Sequence, residues 1–166
     1  VFATATIDTV LSFAISLIVV RSKFVARRVL DQMAFMPHAI PGVVMGLAFL
    51  WAFLQFDKFT GTAMFGSIWS VVLVFVVSFI AYGTRTMNAA ILQIHSDLEE
   101  AASVSGAPPW RTLWRVFMPL MMPSLVGIWV YVVLLSVRLG GAPLILYEGR
   151  RTEVLAVLIW YLWDDG

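Results

Sequence analysis

Long apolar stretches alternate with short polar ones along this chain, and the apolar stretches have the length of membrane-spanning helices. A helix needs about 20 predominantly apolar residues to cross the hydrocarbon core of a bilayer. Four stretches meet that requirement, the first interrupted only by Asp8: Val1 to Val20, Gln32 to Phe56, Phe59 to Thr84 and Val116 to Val137. The pattern therefore predicts four transmembrane helices.

A fifth apolar stretch, Val154 to Trp163, is too short to cross a bilayer. It contains Trp160, Tyr161 and Trp163 and is followed by two aspartates. Because Trp and Tyr favour the membrane–water boundary, this stretch predicts a short interfacial helix. The predicted fold class is thus all-α, a polytopic transmembrane helical bundle.

Composition supports an integral membrane protein and excludes several functions. The chain is 61% hydrophobic and 13% charged, which is typical of a membrane protein. Its net charge is +1, and the sequence contains no basic stripe of the kind that binds nucleic acid. Because the sequence contains no cysteine, it excludes disulfide bonds, thiolate metal sites and a cysteine nucleophile. No paired carboxylates lie inside a predicted span, and no Ser/His/Asp set or metal-ligand spacing is discernible, so we expect no enzyme activity, no cofactor and no bound metal.

The distribution of Lys and Arg predicts the orientation in the membrane. The segments 21–31 and 85–115 hold seven of these residues, and the opposite side holds Lys58, Arg138, Arg150 and Arg151, which is four. Cytoplasmic segments are enriched in Lys and Arg, so both first segments are predicted to be cytoplasmic. Arg138, at the outer end of the fourth span, either extends to the interface, the preferred interpretation, or lines a transport path.

The polar linker before the fourth span predicts a helical hairpin. Its sequence from residue 99 is EEAASVSGAPPWRTLWRVFMPLMMPS. Carboxylates of Asp97, Glu99 and Glu100 follow a possible cap at Ser96, where they suit the positive end of a helix. Pro108 and Pro109 stop this helix near Gly106.

A second helix is predicted after the two prolines. Trp110, Leu113, Trp114 and Phe117 would form an apolar face, with Arg111 and Arg115 on the other side. Pro119 and Pro123 mark entry into the fourth span. Such a hairpin suits docking into a groove on a partner protein, and an ordinary solvated loop is equally compatible with the same residues.

The linker resembles the EAA loop of ABC-transporter permeases. The matching residues are Glu100, Ala101, Ala102, Gly106, Pro119 and Pro123, with Met118 where that family usually has Leu. The resemblance implies a type I ABC importer permease with a MetI-like fold, a multi-pass protein of the bacterial inner membrane. It implies as partners cytoplasmic ATPase subunits that receive the loop, an extracytoplasmic solute-binding protein and a second permease half. Lacking a phosphate-binding loop, this chain would leave ATP hydrolysis to the ATPase.

Three further stretches resemble one group within that family. DQMAFMPHAIPGVVMGLAFLW, AYGTRTMNAAILQIHSDLEEAA and the tail from Gly140 are similar to iron(III)-type permeases, related to those for thiamine, polyamines and phosphonates. Residues 1–166 then resemble the C-terminal half, a partial type-1 transmembrane domain lacking its first and last spans. Ferric iron is the cargo that this resemblance favours. A secondary carrier or membrane scaffold that does not use ATP is the alternative.

The second span begins with an interruption at Pro37-His38-Ala39-Ile40-Pro41-Gly42. Non-helical backbone inside a membrane is tolerated where it lines a cavity or is buried in protein. Pro37, His38, Pro41 and Gly42 are therefore candidates for a translocation path or gate, although a lone histidine is more often structural. Gly42 and Gly46 form a G-x-x-x-G pattern, which predicts close helix packing.

Overall fold

The computed structural model describes residues 1–23, 25–95, 97–138, 145–146, 159 and 162–163. Every regular element in these ranges is helical, which confirms the all-α prediction. A 3₁₀ turn, Met36–Ala39, follows α2, and a π-helical turn, Leu113–Phe117, joins α6 to α7. The α-helices are α1 (Phe2–Arg21), α2 (Arg27–Phe35), α3 (Gly42–Thr60), α4 (Ile68–Leu92), α5 (Asp97–Val104), α6 (Pro109–Thr112) and α7 (Met118–Arg138).

Four helical stretches are long and apolar enough to cross a membrane, as the sequence predicts. They are Phe2–Arg21, Gly42–Thr60, Ile68–Leu92 and Trp110–Arg138. The predicted interfacial helix at 154–163 lies for the most part outside the described residues, as does the predicted cap Ser96.

The second and third spans begin later than their apolar stretches do. Helix α2 ends at Phe35, and a continuous helix starts only at Gly42, because Pro37 and Pro41 interrupt the backbone hydrogen bonds. Between α3 and α4, Gly61 and Gly66 adopt positive φ angles of 68° and 78°, so the chain turns there. A hydropathy profile alone does not reveal these turns.

The helices of the third and fourth predicted spans extend beyond the charge-free stretches from which those spans were predicted. Helix α4 continues past Arg85, which donates a hydrogen bond to the side chain of Asp31 at 3.2 Å. The fourth helical stretch is continuous with α6 and so includes Arg111 and Arg115. A charged residue therefore marks the end of an apolar stretch without ending the helix.

Helix α4 lies at the centre of the bundle, in contact with α1, α2, α3 and α7. It approaches α1 most closely at Gly83, where an added Cβ would meet Ser12 Oγ, Ser12 Cβ at 2.8 Å and Asp8 Oδ2 at 3.0 Å. A polar row on α1 faces this contact and is fully buried: Thr4, Asp8, Ser12 and Ser16. The Ser16 hydroxyl donates to the Thr84 carbonyl at 3.2 Å.

Candidate functional site

Helices α5 and α6 form a hairpin, residues 97–112, which we name the coupling hairpin. Gly106 has a φ of +76°, and nothing lies within 4 Å of a Cβ added there, so the glycine is required for its backbone conformation and not for space. The Ala107 amide donates to the Ala102 carbonyl at 3.0 Å, and the Ser105 amide to Ala101 at 3.1 Å. This left-handed ending fits the predicted stop near Gly106.

The tip of the coupling hairpin is accessible. Glu100, Ala101 and Gly106 are exposed, and Ala102 is half-buried. Within the described residues α6 is the main neighbour of α5, so the hairpin packs on itself more than on the spans. The structure thus brings the four predicted residues of this segment together on one accessible element.

The base of the coupling hairpin is fixed by an arginine that the sequence did not single out. Arg21, at the end of α1, donates to the carbonyl oxygens of Ile91 at 3.2 Å and of Ile94. Its guanidinium lies 5.7 Å from the ring centroid of Phe117, which is buried and lies 6.5 Å from Phe13. One cation therefore joins the ends of α1 and α4 to the π-helical turn below the hairpin.

Pro119 and Pro123 lie inside the fourth helical stretch, not at its entrance. The helix already runs from Pro109, and the π-helical turn immediately precedes Met118. Proline lacks the amide that an α-helix needs, so Pro119 leaves the carbonyl of Arg115 without its α-helical donor. A π-helical turn at this point is one way to accommodate the loss.

The interruption at Pro37 to Gly42 is held against α4 by aromatic contacts. The Ile40 amide donates to the Pro37 carbonyl at 3.1 Å, closing the 3₁₀ turn. The His38 ring lies edge-on to Tyr82, with centroids 4.9 Å apart, and 5.6 Å from Phe35. Tyr82 in turn lies 6.0 Å from Tyr131 of α7. This aromatic chain links three helices that the sequence separates widely.

An open groove lies beside this aromatic chain, between α4 and α7. It has a volume of about 390 Å³ and contains four hydroxyl-bearing residues, Tyr82, Thr86, Ser124 and Tyr131. None of the described residues that line it is acidic. Tyr82 lies ten residues before the end of α4, or about 15 Å along its axis, so the groove is near the middle of that helix.

The remaining candidates are placed as follows. Pro41 and Gly42 are exposed and Pro37 is half-buried, while Gly46 is buried. No atom lies within 4 Å of a Cβ added at Gly42, and the packing role of the G-x-x-x-G pattern stays a prediction. Arg138 is exposed at the end of α7. Among the described residues, no three His, Cys, Asp or Glu side chains lie close enough to hold a metal ion.

Sequence reasoning missed Tyr82, Tyr131 and the polar row on α1. The row carries a sequence pattern, since Thr4, Asp8, Ser12 and Ser16 recur every four residues and so share one helix face. The tyrosines carry no comparable pattern, because their roles arise only when α4 and α7 pack together.

Comparison with known proteins identifies a family. Residues 10–159 match the model of the binding-protein-dependent transport system inner membrane component. A putative 2-aminoethylphosphonate transport system permease protein, PhnV, of Salmonella paratyphi A is 34% identical over 137 residues, covering 82% of this chain and 50% of the relative. A probable sulfate transport system permease protein, cysT, of Chlorokybus atmophyticus is 32% identical over 119 residues, covering 68% and 41%.

These relatives correct one sequence-based expectation. Their names concern phosphonate and sulfate, so the iron(III), thiamine and polyamine group is not the part of the family that they indicate, and ferric iron as cargo has no support. The chain spans about half the length of the curated relatives it matches. With its apolar spans and these permease relatives, it is a multi-pass inner-membrane protein. The chain belongs to the family of binding-protein-dependent transport system inner membrane components, the permeases of type I ABC importers.

Proposed function

We propose that this chain carries solute through the membrane as part of an ATP-driven importer, and that the coupling hairpin docks into a separate cytoplasmic ATPase. The observation that carries this proposal is the hairpin itself: an accessible tip with small side chains, shaped by the left-handed turn at Gly106. Its second limb continues directly into a span, Trp110–Arg138. A displacement of the tip therefore moves a membrane-spanning helix.

Arg21 and Phe117 provide the fixed point for that displacement. The guanidinium holds the end of α4 through two backbone carbonyls while contacting the ring of Phe117. Because Phe117 ends the π-helical turn, the hairpin moves about this contact relative to α1 and α4. Helical turns of this kind often occur where function requires movement.

We assign the gate to Pro37, His38, Pro41 and Gly42. Motion of α7 reaches His38 through Tyr131 and Tyr82, whose rings lie in succession. Polar side chains inside a membrane are expected to face protein or a water-filled path, and the groove beside these rings contains several hydroxyl groups. Its position near the middle of α4 suits a gate at the centre of the bilayer.

The proposed cargo is a small oxyanion delivered by an extracytoplasmic binding protein. The names of the relatives, for 2-aminoethylphosphonate and for sulfate, support this class. The groove is compatible with it, since hydroxyl groups can donate hydrogen bonds to an oxyanion and, in the part of the chain that the structure describes, no carboxylate lines the groove to repel one. A second permease half would complete the path.

The docking proposal is tested with two substitutions of Gly106 in the full-length permease, co-expressed with its ATPase. Valine disfavours a positive φ by about 1–2 kcal/mol, so Gly106→Val should weaken ATPase association roughly 5- to 30-fold. Gly106→Asn is the matched control, because asparagine tolerates this conformation. Association is measured by co-purification and by binding-protein-stimulated ATP hydrolysis.

Two results would contradict the proposal. If the Gly106→Val variant and a bulky Ala101→Trp variant both associated with the ATPase as well as the wild type does, the hairpin would not be part of the docking surface. Solute uptake that continues in vesicles without any ATPase would favour the secondary carrier instead.

A further inference from the structure

A groove with one cationic wall and one apolar wall lies where the ends of α1, α2 and α4 meet. Its volume is about 410 Å³. Val19, Val20 and Leu92 form the apolar wall, and the polar side is lined by Arg27, Arg28, Asp31, Arg85 and Asn88. A second groove of about 340 Å³, which contains Lys23, adjoins the first because both include Arg27 and Arg28.

The cationic wall keeps an excess of positive charge. Arg85 is neutralised by Asp31, with an Nη2–Oδ2 distance of 3.2 Å, and its guanidinium lies 4.8 Å from the ring centroid of Phe35. Among the residues that the structure describes, Arg27 donates to the Ser22 carbonyl alone, at 3.1 Å. In the described part of the chain, Lys23 and Arg28 have no hydrogen bond or ion pair. Three cations thus remain available to an anion.

Helix α2 presents an apolar row beside these charges. Val29 and Met33 are four residues apart and so share a face of α2, Met36 begins the 3₁₀ turn that follows, and each of the three is more than half exposed. A short helix with cationic residues at its start and an exposed apolar face is typical of a segment in the bilayer interface. The surrounding segments carry the Lys and Arg excess that predicts the cytoplasmic side, where the leaflet is rich in anionic lipid.

We propose that this groove binds one anionic phospholipid of the cytoplasmic leaflet. Its phosphate lies between Arg27 and Arg28, and an acyl chain covers Val19, Val20 and Leu92. A soluble phosphate would satisfy the charges and leave the apolar wall exposed, whereas a zwitterionic lipid would cover that wall without a net charge to match the arginines. An anionic lipid meets both requirements. The bound lipid holds α2, whose far end leads into the turn that carries His38.

The test uses the full-length permease assembled with its ATPase in mild detergent. Phosphatidylglycerol and phosphatidylcholine with identical acyl chains compete for the complex, and retained lipid is measured by native mass spectrometry. We expect preferential retention of phosphatidylglycerol. A basic residue near an anionic surface contributes about fivefold to binding, so Arg27→Gln/Arg28→Gln should reduce retention roughly 30-fold.

Three variants control for charge and folding. Lys58→Gln/Arg138→Gln removes two positive charges from the opposite side and should retain phosphatidylglycerol normally. Arg27→Lys/Arg28→Lys keeps the charges and should retain most of the binding. Leu92→Trp keeps every charge but fills the apolar wall, and it should reduce labelling of the complex by a phosphatidylglycerol with a photoreactive acyl chain. Each variant is first shown to assemble with the ATPase.

Several outcomes would overturn the proposal. Equal retention of the two lipids would exclude charge recognition, and equal loss in the Lys58/Arg138 control would show a nonspecific effect of net charge. Displacement of the lipid by glycerol 3-phosphate alone would indicate a soluble anion site. Absence of photolabelling at the groove in the wild-type complex would show that another protein segment covers it.

Discussion

Gly106 and Gly83 are both required, but for different physical reasons. Gly106 adopts a positive φ in open space, a need that the following prolines make visible in the sequence. Gly83 lies where Ser12 and Asp8 leave no room for a Cβ. That need depends on a residue 71 positions away on another helix, and local sequence does not show it. For the same reason the sequence shows Arg21 only as one of the charges on the predicted cytoplasmic side, whereas its contacts with α4 and Phe117 arise in the folded protein.

At the residue scale, the contact between Gly83 and Ser12 predicts a strong stability coupling. Gly83→Ala should lower the free energy of unfolding by about 1–3 kcal/mol, because the added methyl group overlaps the serine side chain. Ser12→Gly should restore part of this loss in the double variant. Thermal unfolding of the full-length permease in detergent measures all three variants.

Gly127→Ala is the control for helix propensity, since nothing lies within 4 Å of a Cβ at that position of α7. A coupling energy below about 0.5 kcal/mol between positions 83 and 12 would mean that the two residues act independently. The close packing of α1 on α4 would then have another cause.

At the scale of elements, hydropathy predicted how many spans exist and turn chemistry decided where they begin. The break at Pro37 to Gly42 was expected because proline removes a backbone donor. The late start of α4 was not expected from the sequence, because the turn before it depends on the positive φ angles of Gly61 and Gly66, which lie in a stretch without charge. The continuous helix through Pro119 was also missed, because a π-helical turn compensates for the proline in a way that apolar periodicity does not reveal.

The turn between α3 and α4 depends on one carboxylate. Asp57 Oδ1 accepts from the Met64 amide at 2.7 Å and from the Thr62 hydroxyl at 3.0 Å, and Oδ2 accepts from the Phe65 amide at 2.8 Å. Asp57→Ala should destabilise this turn by about 1.5–3 kcal/mol, since hydrogen bonds to a charged group are lost. Faster hydrogen exchange at the amides of Met64 and Phe65 would show the change.

Asp57→Asn should have an intermediate effect, because the amide keeps one acceptor oxygen. Lys58→Ala, one residue further on, should leave exchange at both amides unaltered. Unchanged protection in Asp57→Ala would show that the turn is held by the backbone alone.

We expect transport to slow when the aromatic chain that joins α7 to the 3₁₀ turn is removed. His38→Ala removes the ring contacts with Tyr82 and Phe35, and Tyr131→Ala removes the contact with Tyr82, so the double variant should transport roughly tenfold more slowly. Association with the ATPase should persist, because the coupling hairpin is untouched. Uptake into proteoliposomes that contain the ATPase and binding protein is the measurement.

Tyr131→Phe keeps the ring and removes only the hydroxyl, so it separates ring contact from hydrogen bonding to cargo. Trp51→Ala removes an exposed aromatic side chain of α3 that does not line the groove, and it should transport normally. If the double variant transported as fast as Trp51→Ala, the aromatic chain would not form part of the gate.

At the scale of the whole molecule, the proposals depend on which side of the membrane holds the coupling hairpin. The bias of seven basic residues to four predicts that it lies in the cytoplasm, together with the end of α1 and the lipid groove. The bundle keeps these features together, since α4 contacts both α1 and α2 and ends beside Arg21. Reversal of the topology would therefore remove the ATPase and the anionic leaflet from their proposed sites at once.

Because this chain has no cysteine, its orientation can be read with single substitutions in a full-length permease made cysteine-free elsewhere. Val104 is 88% exposed on the hairpin, and Ala63 is exposed in the turn between α3 and α4. An impermeant maleimide should label Val104→Cys only in inside-out vesicles and Ala63→Cys only in right-side-out vesicles. Val132→Cys, buried in α7 and not among the residues that line the groove, should stay unlabelled until the protein is denatured. Labelling of Val104→Cys in sealed right-side-out vesicles would place the hairpin outside, where no ATPase could reach it.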